Sequence, residues 1–118
     1  MIVEDESIIA LELEHKLKKM GHLVTAVVSK GEAALERVMT DKPDVILMDI
    51  RLAGKWDGIE TAEKIRSQID LPIVFLTAYL DKSRMDRAKS ALPFAYMLKP
   101  IQESDLESTI EMALFSKE

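Results

Sequence analysis

The chain of 118 residues contains no cysteine, so neither a disulfide framework nor a thiolate metal site is available to it. Stability must come from packing, and the absence suits a reducing cytosol. Long apolar runs are missing too: Ile73 to Leu76 and the residues just after it fall far short of the roughly 20 residues needed to span a bilayer. The acidic beginning is unlike a secretory signal peptide. A soluble, cytoplasmic protein with no membrane partner is therefore expected. There is also no excess of positive charge. A formal net charge of -5 works against direct nucleic-acid binding, which draws on clustered Lys and Arg. Any contact with DNA would need another domain. No repeat, low-complexity tract or linker divides the chain, and 47% hydrophobic content suffices for one core of ordinary size. Residues 1–118 read as a single domain.

What the sequence does contain is a repeated rhythm. Short β-branched or continuous apolar runs alternate with longer stretches of helical spacing. Strands are expected at Ile2-Val3, Leu23 to Val28, Val45 to Met48, Ile73 to Leu76 and Ala95 to Leu98. Most are apolar on both faces, as strands covered by helices on both sides must be. Ile9, Leu13, Leu17 and Met20 form the clearest helical stripe, with Gly21 as its C-terminal cap. Ser29 and Glu32 have capping-box spacing before a second helix that ends near Asp41, ahead of Pro43. Ile59, Ala62, Ile65 and Ile69 mark a third helix, closed off by Pro72, and Leu106, Ile110, Ala113 and Leu114 mark the last. Asp81 to Leu92 predicts a fourth helix with a sparse stripe of Met85, Ala88 and Leu92, stopped by Pro93.

Strict alternation of strand and helix with short connections predicts an α/β fold whose parallel sheet is covered on both faces. Ligands of such sheets bind beyond the carboxyl ends of the strands. Polar residues collect there. Glu4-Asp5 follows the first strand, Asp49 ends the third, Thr77 ends the fourth and Lys99-Pro100 ends the fifth. Three carboxylates in one crevice repel one another unless a cation compensates. Oxygen ligands without Cys or His favour Mg²⁺ or Mn²⁺ over zinc. Lys99 adds a point charge suited to a phosphoryl oxygen, and the Thr77 hydroxyl can donate to another. This set suits phosphoryl transfer with Asp49 as the nucleophile, giving an aspartyl phosphate.

Val3-Glu4-Asp5-Glu6, Met48-Asp49, Asp57-Gly58, Leu76-Thr77-Ala78 and Tyr96-Met97-Leu98-Lys99-Pro100 together resemble the receiver domains of two-component response regulators, of the chemotaxis-receiver kind. The resemblance runs through essentially the whole chain in the expected order. It implies a flavodoxin-like (βα)5 three-layer sandwich with strand order 2-1-3-4-5. It also implies that Asp49 is the phosphoacceptor and that Asp5 ligates the metal. Glu4 would hold the metal through water, with the Arg51 carbonyl completing the protein's share. Thr77 and Tyr96 would be a switch pair, and Arg51 and Tyr79 would tune the phosphoryl lifetime. The implied partners are a histidine kinase or phosphotransfer domain and an output domain, with dimerisation through the fourth helix, fifth strand and fifth helix.

Some residues depart from that pattern. Ala53 stands where the family usually has proline, Gly58 comes one residue late, and Leu92-Pro93-Phe94 replaces the usual Gly-Ala. The metal-side geometry of the loop after Asp49 is therefore open. Only Met1, Ile2 and Val3 precede the acidic pair, so the first strand reads as trimmed, as in a segment of a longer protein. Trp56 in the same loop is a partner contact, a lid or local cover. Two other functions share part of the site: a receiver-like docking module that is never phosphorylated, and a haloacid-dehalogenase-like phosphohydrolase. Against the latter, Arg51 occupies the place of that family's second Asp, and its nucleophile follows the first strand.

Overall fold

The computed structural model describes residues 1–78 and 82–116. In chain order the elements are β1 (Ile2–Val3), α1 (Ser7–Lys19), β2 (Val27–Val28), α2 (Gly31–Asp41), β3 (Ile46–Asp49), α3 (Gly58–Arg66), β4 (Ile73–Thr77), α4 (Lys82–Lys89), β5 (Ala95–Leu98) and α5 (Glu103–Ser116). The strands form one parallel sheet in the order β2-β1-β3-β4-β5. The fold is the expected flavodoxin-like one. Its strand order reverses between β1 and β3, which opens a crevice beyond their carboxyl ends.

Alternation along each strand explains why the sequence shows continuous apolar runs. Val3, Ile46, Met48, Ile73 and Phe75 enter one core, with Ala34, Val38, Ile59, Ala62, Ile65 and Ala88 of α2, α3 and α4. Ile2, Leu47, Val74 and Leu76 enter the other, with Leu13 and Leu17 of α1 and Leu106 and Ile110 of α5. Both faces of every central strand are therefore buried. Gly21 closes α1 as expected: with φ at 92°, it donates to Lys18 while His22 donates to Leu17, the paired bonds of a Schellman turn.

Several expected boundaries differ, among them α3, which ends at Arg66 with Ser67 as C-cap and leaves Ile69 beyond the helix. β2 covers only Val27–Val28, not Leu23 to Val28, and Leu23 is exposed. Its one neighbour, β1, offers just two rungs, Ile2 to Val27 and Val3 to Val28, so an edge strand has nothing further to pair with. The Ser29–Glu32 capping box does not form; Lys30 is the N-cap and no side chain caps the helix. The helix begins at Gly31, where a Cβ would run into the Thr61 side chain, so α2 approaches α3 closely at this glycine.

The fourth helix ends at Lys89, before Pro93. Ser90, Ala91 and Leu92 then donate to Arg87, Ala88 and Lys89, a tighter i to i−3 winding that brings Ala91 rather than Leu92 under Ala88. Leu92 is left exposed at φ 51°, consistent with proline disfavouring right-handed helix in the residue before it. Among the described residues no helix is long and apolar enough to cross a membrane.

Candidate functional site

Each strand that ends at the crevice delivers one chemical group to it. Glu4 leaves β1 and is buried, Asp49 closes β3 and is buried, and Thr77 closes β4 with its side chain nearly covered. Lys99 follows β5, tied to the neighbouring strand by its own N–H to the Thr77 carbonyl at 2.7 Å. Its Nζ lies 2.7 Å from Glu4 Oε1 and 3.3 Å from Asp49 Oδ2. The structure thus brings together Glu4, Asp49 and Lys99 in direct contact. Asp5 joins them: ligand oxygens of Glu4, Asp5 and Asp49 all lie within 4.8 Å of one another.

Main-chain donors complete the cradle. The Arg51 N–H donates to Asp49 Oδ1 at 3.0 Å, and the Glu6 N–H donates to Glu4 Oε2 at 3.2 Å. Beyond Asp49 the chain returns to it at Gly58, whose N–H donates to the Ile50 carbonyl at 2.9 Å. A Cβ at Gly58 would run into the Asp49 carbonyl oxygen. The late glycine therefore still serves a close approach to the backbone of Asp49. Asp57, just before it, caps α3 through Oδ1 to the Glu60 N–H and meets Arg87 of α4 through Oδ2 at 3.1 Å.

Electrostatics divides the carboxylates. Burial, with the hydrogen bond and charge of Glu4, pushes Asp49 up to about 7, against the opposing pull of Lys99 and the Arg51 N–H. Burial also acts to raise Glu4, but hydrogen bonds with Asp49 and Lys99 outweigh it and hold Glu4 below its ordinary value. Lys99 is held above its ordinary value: burial opposes its charge, and the two carboxylates overcome that. Among the described residues Lys99 is the cation in contact with both Glu4 and Asp49, and the crowding of these buried carboxyl groups favours the protonated form of Asp49. This crowding, with oxygen-only donors, fits a hard divalent cation.

A cavity of about 420 Å³ opens from Asp49 and Lys99 between α1 and the β5–α5 connection, walled by Ile9, Leu13 and Ile101. Lys16 of α1 lies along it and donates to the Ile101 carbonyl at 3.1 Å. Tyr96 lies on β5. It is 36% exposed, with its ring centroid 6.1 Å from that of Phe75. Trp56 is half-buried beneath Lys64 of α3, whose Nζ is 4.7 Å from the ring centroid, so it covers α3 locally. Arg51 is exposed at the cavity mouth, and Tyr79 lies outside the described residues. Sequence reasoning did not find Lys16, Arg87 or the Ala53 N–H, which donates to Asp5 Oδ2 at 3.1 Å. These contacts join residues on separate elements, and no local pattern announces them.

Residues 1–111 match the response regulator receiver domain family. The chain belongs to that family. It is 36% identical over 114 residues to the transcriptional regulatory protein PdtaR of Mycobacterium tuberculosis, covering 97% of this chain and 55% of PdtaR. It is 31% identical to the phyllosphere-induced regulator PhyR of Methylorubrum extorquens, covering 98% of this chain and 43% of PhyR. This receiver domain thus spans about half the length of the curated relatives it matches. Among solved structures, the signal receiver domain of a modulated diguanylate cyclase from Desulfovibrio desulfuricans superposes with a TM-score of 0.94 at 39% identity, covering 98% of this chain and 92% of that one. The anti-anti-sigma factor PhyR of Bartonella quintana superposes at 0.82 with 29% identity, covering 99% of this chain and 47% of that one.

Proposed function

We propose that this receiver domain accepts a phosphoryl group from a phosphohistidine onto Asp49 and uses the aspartyl phosphate to switch partner binding. The observation that carries the reading is the contact of Lys99 with both Glu4 and Asp49 inside an acidic crevice. In the transfer, an Asp49 Oδ attacks phosphorus, the P–N bond breaks, and the electron pair leaves with the imidazole nitrogen. Lys99 moves its charge to a phosphoryl oxygen, and the Thr77 hydroxyl donates to another. The Arg51 N–H orients the carboxylate by holding Asp49 Oδ1. Glu4, Asp5, Asp49 and the Arg51 carbonyl would hold Mg²⁺ or Mn²⁺, which when bound supplies the missing charge neutralisation. The Asp49 proton must leave before attack, since the carboxylate and not the acid is the nucleophile.

The reading extends to a cytoplasmic signalling protein with a histidine kinase or phosphotransfer domain as donor. Its output domain, in the same chain or a separate one, would be served by the α4–β5–α5 face, with Tyr96 responding to Thr77. Arg51 and Tyr79 would set the lifetime of the phosphoryl group. The phosphohydrolase alternative is disfavoured by the position of Asp49 at the end of β3 and by Arg51 two residues on. A docking module without phosphorylation would not need the complete set of Glu4, Asp5, Asp49, Thr77 and Lys99.

Incubation with acetyl phosphate and Mg²⁺ should add the mass of one phosphoryl group, absent in Asp49→Asn and without the metal. A shift that persists in Asp49→Asn, or no shift at all, would sink the assignment.

A further inference from the structure

The loop between Asp49 and α3 departs most from the receiver pattern, yet its middle is firmly placed. Leu52 is buried in the core beneath α3 and anchors the chain. Gly54 turns it at φ 105°. Ala53, between anchor and turn, presents its main-chain N–H to Asp5 Oδ2 at 3.1 Å, across 48 residues of sequence. The ends of the loop are pinned separately, by the Arg51 N–H on Asp49 Oδ1 and by Asp57 between the Glu60 N–H and Arg87.

A carboxylate held through one oxygen loses freedom of rotation while keeping the other oxygen available. Ligands that are oriented before the metal arrives bind it more tightly than mobile ones. We infer that the Ala53 N–H is a positioning group that fixes the Asp5 carboxylate for the divalent cation. Alanine rather than proline at this position then has a chemical reason, because proline has no N–H to donate. The inference rests on the metal-dependent receiver reading above.

Calorimetric titration with Mg²⁺ of the unaltered chain, Ala53→Gly and Ala53→Pro tests it. Removing an outer partner of a metal ligand typically weakens metal affinity by about tenfold or more, and that is expected for Ala53→Pro. Ala53→Gly keeps the N–H and is expected to stay within about threefold of the unaltered chain. Thermal melting without metal checks that the proline variant is folded. Equal Mg²⁺ affinity in the unaltered chain and a folded Ala53→Pro overturns the inference, as does a loss in Ala53→Gly as large as in Ala53→Pro. If the proline variant does not fold, amide exchange decides: the Ala53 proton should be protected in the unaltered chain and lose that protection in Asp5→Ala. The same exchange rate in both overturns the inference. No binding of Mg²⁺ by the unaltered chain would instead refute the receiver reading itself, whatever Ala53 does.

Discussion

The two sides of Asp49 are built differently. Toward β1 and β5, side chains are already in contact and almost wholly buried: Glu4, Lys99 and Asp49 form one cluster with each carboxylate also held by a main-chain N–H. Toward α4, the packing among the described residues is thin. That helix reaches the core through Ala88, the tight turn after it through Ala91, while Leu92, Tyr96 and Leu98 remain exposed. The groups proposed to react are pre-organised, whereas the neighbouring face has small contacts and apolar surface to spare. If the proposed phosphorylation rearranges the domain, the change costs least where least packing is broken, on the α4 side.

The contrast can be broken most directly at Lys99. Lys99→Met leaves two buried carboxylates without their shared ammonium, and removing one partner of a buried ion pair costs roughly 3–5 kcal/mol. Urea denaturation should show a loss of that order, with Mg²⁺ recovering part of it. A loss below about 1 kcal/mol would mean that the cluster is not tightly organised. Next comes Gly58→Ala, whose new Cβ meets the Asp49 carbonyl oxygen. Overpacking against backbone should cost roughly 3 kcal/mol and lower the yield of phosphorylated protein, measured by denaturation and mass spectrometry together.

pH sharpens the comparison. Asp49 rises from an ordinary 3.8 to about 7 in the folded chain, so between those values the folded state holds a proton that the unfolded state has lost. Its contribution to metal-free stability is therefore fully present below about pH 4 and is lost as pH rises through about 7. Mg²⁺ must displace that proton, so its apparent affinity should fall by up to about tenfold per pH unit below 7. Melting curves at pH 5 and pH 8 should show the larger Mg²⁺-induced stabilisation at pH 8, and equal shifts would contradict a shared proton. The smallest effect belongs to the α4 side. Leu92→Ser removes an exposed side chain and should change stability by no more than about 0.5 kcal/mol, while weakening any phosphorylation-dependent partner binding that uses this face.

Much of this was legible before any coordinates. The alternation of Ile2-Val3, Ile73 to Leu76 and Ala95 to Leu98 with helical stripes such as Leu13-Leu17 carries the parallel α/β architecture, because periodicity records which faces are buried. Glu4, Asp5, Asp49, Thr77 and Lys99 could be read as one constellation because strand ends in a parallel sheet converge. Other features were not legible. The apolar Leu23 to Val28 run suggested a full strand, but the length of β2 depends on what β1 can pair with. The stripe ending in Leu92 assumed α-helical winding, and the tighter last turn exchanged Leu92 for Ala91. The Ser29–Glu32 capping box did not form, because the helix begins after Lys30 rather than Ser29.

By itself, the sequence determined the order and type of the elements and which donor atoms reach the crevice, since both follow from local periodicity and residue chemistry. Only the tertiary structure decided how those donors are used. Asp49 is pushed up while Glu4 is held down, and Ala53 reaches Asp5 while Lys16 reaches Ile101. Burial, charge and hydrogen bonding depend on distance through space, and residues far apart in sequence become neighbours only when the sheet is assembled.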